Sequence, residues 1–376
     1  MTSPSIADTA VSLGGRIGRY FSIVSVLPSL FLVAWTTALV ASDSWHTEPD
    51  LPLMVHRLGN LNLVSIAWLL LLTTVAALFL HPLQLGMTRL LEGYWGSSPV
   101  AVKLLGARIA HYRRRRQRLR EREGELTDLF DRRMKILLIQ KYFRDVLEKR
   151  SDAVHPANFD DELAESSERW MLRSDQGHGL GGLNAALDEV ETAKSRYPEP
   201  PRMMPTRLGN ALRQAEDSIG KQYGLSAIRT APLLALIAPE LDRSYLIDSR
   251  QQMDTSIRLC VVALLATLET VACLFTDGWW LLTSLVPYCL AYIAYRAAVA
   301  AADDFMTVVR SVLDLNRFKL YESMHIRLPV STDDERRVNA KLMNLLRGNP
   351  ENLRYKHPAA GTPSAGDTPP TPPKTP

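Results

Sequence analysis

Glu269 is the only charged residue in the apolar run 259–276, and an acid in that setting has few roles. At about 1.5 Å per residue it lies about 16 Å along a helix from Arg258, near the middle of a hydrocarbon layer about 30 Å thick. An ionised carboxylate there is costly and needs a partner or a water path. It is either a station on an ion or proton pathway or a neutral acid hydrogen-bonded to a neighbouring helix. Folding this run against the next one about Asp277 sets residue 269 opposite roughly residue 286. The expected partner is therefore Tyr288, Ser284 or a polar group of another subunit, since Arg296 falls about 15 Å too deep.

Three further groups carry chemistry by type and spacing. Asp303 and Asp304 follow the last apolar run. In an oligomer they would form an acidic ring drawing cations to an inner mouth; otherwise they are solvated interfacial acids. Ala294, Ala298 and Ala302 recur every four residues and form a small face for close helix packing, against the same chain or a second subunit. Arg113, Arg114, Arg115, Arg116, Arg118 and Arg120 form a basic run suited to anionic lipid headgroups, at about 1 kcal/mol per basic residue near the surface. Nucleic acid is not the expected partner, because stacking aromatics are not interleaved, Tyr112 aside. The run also reads as the exposed face of a long charged helix, with Glu121, Glu123 and Glu125 following it.

Other chemistry is missing. No spaced metal ligands, phosphate-cradling glycine loop, nucleophile elbow or paired-carboxylate site occurs in a fitting context, so no catalytic residue, metal or cofactor is expected and the chain does not read as an enzyme. The glycines around His178 lack a preceding strand, and Gly220-Lys221 is followed by Gln222 where a hydroxyl residue is needed. His81 reads as an interfacial helix end. Cys260, Cys273 and Cys289 lie in apolar runs without paired spacing and read as packing residues.

The elements that must position these groups are four uncharged or nearly uncharged runs, 21–42, 58–80, 259–276 and 278–295. About 20 residues suffice to cross a bilayer, so each run is long enough, the later two with less margin. Arg16 and Arg19 precede the first run and the arginine-rich stretch follows the second, which places those flanks inside. The connection between the first two runs carries Asp43, Glu48 and Asp50 against Arg57, and the turn between the last two carries Asp277; both face outward. Trp45, Trp95, Trp279 and Trp280 fall near the interfaces. The net charge of +4 is accounted for by these membrane flanks. No Ala-x-Ala-type cleavage site follows the first run before Asp43, so it reads as a retained helix.

The segment between the hairpins reads helical and divided. Ser98-Pro99 starts a helix whose apolar face includes Leu126, Phe130, Met134 and Leu138. The glycines 177–182 form a flexible connection, residues 183–196 a helix, and Pro198 to Pro205 a mobile or extended linker. Thr206 caps a helix to about residue 219, and shorter helical pieces are interrupted by Pro232 and Pro239. Beyond the last run a helix carrying Phe305, Val308, Val309 and Val312 continues until Pro329, and Thr332 with Glu335 forms a capping box for one more. The tail from residue 357 is rich in Pro, Thr, Ala and Gly and reads as disordered, either a solvated end or a proline-rich or phosphorylated ligand.

Two stretches, Pro205-Thr-Arg-Leu-Gly-Asn-Ala-Leu-Arg-Gln-Ala-Glu continuing to Gln222-Tyr-Gly-Leu, and Asp314-Leu-Asn-Arg-Phe-Lys-Leu-Tyr-Glu, resemble multi-pass membrane proteins of high-GC, actinobacterial bacteria. The resemblance brings no activity with it and implies a bacterial inner-membrane location.

The expected protein is all-α, an integral membrane protein with four transmembrane helices in two hairpins and a helical cytoplasmic domain. Its parts are a cytoplasmic N-terminal tail (1–20), hairpin 1 (21–85), a cytoplasmic helical domain with Gly- and Pro-rich linkers (86–257), hairpin 2 (258–302), a cytoplasmic helical extension (303–348) and a disordered tail (349–376). Its expected role is to present the cytoplasmic domain for partner binding, regulation or signalling, with membrane lipids, anionic ones included, and a homo-oligomer or protein partner around it. The alternative is an oligomeric ion channel or transporter with Glu269 along the path.

Overall fold

The computed structural model describes residues 26–45, 48–148 and 180–356, and these are helical apart from short connections. The expectations for 1–20, for the start of the first apolar run, for the glycines around His178 and for the tail from 357 lie outside the described residues. Within them the only strand-like pairing is an isolated antiparallel bridge between Ile326 and Tyr355.

The helices run in chain order α1 (Val26–Ala41), α2 (Leu51–Gly59), α3 (Leu63–Leu80), α4 (Gln84–Glu92), α5 (Pro99–Glu148), α6 (Leu180–Ser195), α7 (Arg207–Ser218), α8 (Ala227–Ile237), α9 (Glu240–Cys273), α10 (Leu285–Ser323) and α11 (Thr332–Leu345). Three stretches are long and apolar enough to cross a membrane: α3, α9, and the 3₁₀ turn Gly278–Ser284 continuing into α10. The described part of α1 is apolar and shorter.

Local chemistry explains most boundaries. Asn62 caps α3 by accepting from the Ser65 amide at 2.7 Å. Pro82 then breaks the chain, and α4 restarts two residues later. Ser98 caps α5, accepting from the Ala101 amide at 3.2 Å, with Pro99 at the first helical position. The connection between α1 and α3 holds a helix that the apolar pattern did not announce: Asp50 accepts from the Leu53 amide at 2.9 Å and Pro52 sits in the first turn, which starts α2. The capping box expected at Thr332 is displaced by one residue. Ser331 is the N-cap, accepting from the Asp334 amide at 3.2 Å, because Glu335 is drawn into the protein interior.

The described chain divides into two compact units, residues up to Thr88 together with those from Ala215 onward, and Arg89–Gln214. In the first, α9 (34 residues) and α10 (39 residues) span roughly 50 and 60 Å and pack against each other along most of that length. Their apolar halves meet through small side chains: Cys260, Ala263, Ala266 and Thr270 on α9 and Ala291, Ala294, Ala298 and Ala302 on α10 are buried. Beyond the apolar halves the same two helices enter a second core, where Leu313, Leu320 and Tyr321 of α10 are covered by Ile219, Leu234 of α8 and Leu342 and Met343 of α11.

In the second unit α5 is a 50-residue helix lined by α6, with Lys194 paired to Glu123 at 2.5 Å. The proline-rich segment after α6, expected as a mobile or extended linker, is packed. Tyr197 and Met203 are buried against Tyr112, Ile109 and Leu119 of α5, and the two tyrosine rings lie 6.0 Å apart. Gly181 and Gly182, expected in a flexible connection, sit in the first turn of α6.

Candidate functional site

Glu269 projects from α9 toward α1, where Thr36 donates its hydroxyl to the Glu269 Oε2 at 2.9 Å. One residue on, Trp35 donates its indole Nε1–H to Thr270 Oγ1 at 2.8 Å, and Thr270 itself donates back to the Ala266 carbonyl at 2.7 Å. Phe31 stacks on Trp35 with ring centroids 6.0 Å apart. The acid and its neighbour are thus tied to α1, and the expected partners lie elsewhere: Tyr288 is exposed and Ser284 donates to the Leu281 carbonyl. The hairpin turn is a seven-residue 3₁₀ stretch, so a register counted directly about Asp277 does not describe what faces Glu269.

The alanine stripe is explained within one chain. Ala294, Ala298 and Ala302 are buried in the seam with α9. Asp303 and Asp304 sit just past this seam on the exposed side of α10. They are not brought together with Glu269, which lies on the apolar half of α9.

At the polar end of that apolar half, a second cluster links α4 to α9. Arg258, 8 % exposed, donates from Nε to Gln84 Oε1 at 2.5 Å, and Gln84 donates to the Asp254 backbone carbonyl at 3.2 Å. Arg250 approaches Asp254 Oδ2 at 3.7 Å, while Asp254 Oδ1 and Gln251 Nε2 are buried without a protein partner. Burial raises the Asp254 carboxyl above its ordinary range, against the opposing pull of Arg250, the Gln84 amide and Arg258.

The basic run is divided by use. Arg116 pairs with Glu199 at 2.8 Å, Arg113 donates to the Pro200 carbonyl at 3.2 Å, and Arg114 donates back to the Ala110 carbonyl of its own helix. Two of the six headgroup candidates therefore hold the proline-rich segment against α5. Arg115, Arg118 and Arg120 are exposed.

Asn210, Asn316, Tyr321 and Asn339, which residue spacing does not single out, join Thr206 and Glu335 in dense bonding. Asn210 donates to the Met204 and Thr206 carbonyls and accepts from the Met204 amide at 2.8 Å, while Thr206 donates to the Glu92 carbonyl at 2.8 Å. Gly209 permits this approach, since a Cβ there would stand 2.1 Å from the Glu92 carbonyl oxygen. In the other core Tyr321 donates to Glu335 at 3.0 Å, Arg317 reaches the same carboxylate oxygen at 3.1 Å, and Asn339 donates to both the Tyr321 hydroxyl and the Tyr223 carbonyl at 2.8 Å. Burial pushes the Tyr321 hydroxyl well above its usual range, with the Asn339 bond opposing and Glu335 adding to it. Asn316 donates to Asp242 at 2.7 Å. These residues include members of both stretches on which the family resemblance rests, and here they build the protein's interior. A pattern of Asn, Thr and Gly among helical apolar residues was the available signal.

Among the described residues no group of three or more His, Cys, Asp and Glu side chains is placed to hold a metal ion. No family model, curated protein or solved structure matches this chain.

Proposed function

We propose that the chain is a four-span membrane protein whose α9 and α10 carry a helical cytoplasmic domain for partner binding or regulation. One observation carries the reading: two of the helices with a span-length apolar half, α9 and α10, run on without a break into the polar core around Tyr321. A change at that core is therefore mechanically connected to the membrane segment through two continuous rods. The first apolar run supplies the fourth span in this reading, with Thr36 and Trp35 bonded to Glu269 and Thr270 at matched depth. The arginine-rich flanks put the core on the cytoplasmic side.

An ion-conducting oligomer is the second reading, favoured by Glu269 and by exposed Asp303 and Asp304. Two observations weigh toward the first. Glu269 has its hydrogen-bond partner inside the chain, and the small-residue face is consumed by the α9–α10 seam. Flux measured in proteoliposomes separates the readings. No flux above empty vesicles is the expected result, and flux that disappears in Glu269→Gln would overturn the proposal in favour of conduction.

A further inference from the structure

We propose that the cleft at the far polar end of α10 binds a soluble, multiply phosphorylated small molecule. The cleft encloses about 590 Å³, within the size range of small-ligand sites, and four cations line it: Arg327, Arg337, Lys341 and Arg354. Among the described residues Asp334 is the only acid on its wall, and it is engaged in accepting from the Val330 amide at 3.2 Å. Among the described residues none of the four cations is paired with a carboxylate. Arg337 donates to the Asp333 backbone carbonyl, and Lys341 donates to the Asn352 carbonyl at 3.4 Å, so both are held by backbone oxygens.

The fold goes out of its way to gather this charge. Arg337 and Lys341 stand one turn apart on the same face of α11, a like-charged spacing that destabilises a helix. After α11 the chain turns back, and residues 351–356 lie beside the loop after α10 through the Ile326–Tyr355 bridge. The Lys356 amide donates to the His325 carbonyl at 2.7 Å, and the Arg327 amide donates to the Arg354 carbonyl at 3.4 Å. That pairing sets Arg327 beside Arg354. It is anchored at His325, which adopts a left-handed φ of 53° that a residue with a Cβ seldom takes. Four exposed cations gathered at one cleft, two of them set side by side by the backbone bridge, suit an anion with several charges. Guanidinium groups suit phosphate oxygens in particular, because they present paired donors.

The location decides which anion. The apolar half of α10 ends near Ala302, and Ser323 lies about 30 Å farther along the helix. At a Debye length of about 8 Å in physiological salt, lipid headgroups exert little pull at that distance. A soluble phosphate compound is therefore the occupant. The sequence from His357 to Pro376 contains one acidic side chain, Asp367. Binding here deepens the proposed function by giving the polar domain a ligand and rests on that reading for its distance from the membrane, while a binding measurement stays distinct from the flux result.

The full chain in nanodiscs of neutral lipid is titrated calorimetrically with inorganic tripolyphosphate at physiological ionic strength. Saturable binding is expected. The double substitution Arg337→Gln with Lys341→Gln weakens it by at least about tenfold, as loss of charge-assisted hydrogen bonds requires, and the ligand-free variant melts no lower than the parent because like-charge repulsion is relieved. Arg354→Gln, which leaves α11 untouched, weakens binding in the same sense. The proposal is overturned if the variants bind as the parent does, if sodium chloride at matched ionic strength reproduces the response, or if a short single-stranded RNA binds where tripolyphosphate does not.

Discussion

Thr36 and Glu269 form a contact whose removal has a signed consequence. Thr36→Val keeps the shape and deletes the donor, leaving the carboxyl unpaired in an apolar setting, which costs about 1–3 kcal/mol. Thermal unfolding in detergent is expected to show that loss, with Thr36→Ser close to the parent. Asp254 gives a pH-dependent counterpart. A carboxyl whose folded pKa is raised above its ordinary value favours folding most at pH below that ordinary value, and the contribution is lost as pH rises through the folded value. Asp254→Asn is therefore expected to melt at or above the parent temperature at neutral pH, with the difference shrinking toward pH 4; a variant clearly less stable at neutral pH would show that the Arg250 pair outweighs desolvation. Glu269 stands out in the sequence because an acid in an apolar run needs a partner or a water path. Its partner does not, because Thr36 is an ordinary residue in its own run and only the packing of α1 on α9 brings the two together.

A helix is legible in the sequence where a cap and a period agree, and less so where a few anchors outweigh composition. Ser98 before Pro99 and Thr206 before α7 mark their helices plainly. The proline-rich stretch after α6 looked like a linker because proline rules out helix, yet Tyr197 and Met203 within it provide two apolar anchors and Arg113 and Arg116 satisfy its polar groups. Arg116→Ala should loosen this segment, measured as faster amide exchange at residues 197–205, whereas Arg118→Ala should not. The close contacts between helices set tighter limits. In the α9–α10 seam Ala298→Leu inserts a branched side chain where exposure is zero, and overpacking of that kind costs about 1–3 kcal/mol. Thermal unfolding of this variant should show a lower transition than Ala297→Leu, whose site is exposed. Had the stripe faced a second subunit, Ala298→Leu would change oligomer size before it changed stability.

At the scale of the whole molecule, the helical class and the apolar stretches were legible because lipid selects long uncharged runs. The polar interior was not, since Asn316 and Asn339 acquire their roles from Asp242 and Tyr223, far away in the chain, a distance that no local period reports. The same limit applied to the basic cleft, whose four cations come from three separate segments. What the whole account depends on is that the apolar runs cross a membrane with the arginine-rich stretch and the polar core on one side. The direct measurement is labelling of single-cysteine variants in sealed spheroplasts with a membrane-impermeant maleimide, after Cys260, Cys273 and Cys289 are changed to Ala. A cysteine in place of Glu48 should label from outside, while one in place of Arg118 should label only after permeabilisation; labelling of the Arg118 position in sealed spheroplasts would contradict the account.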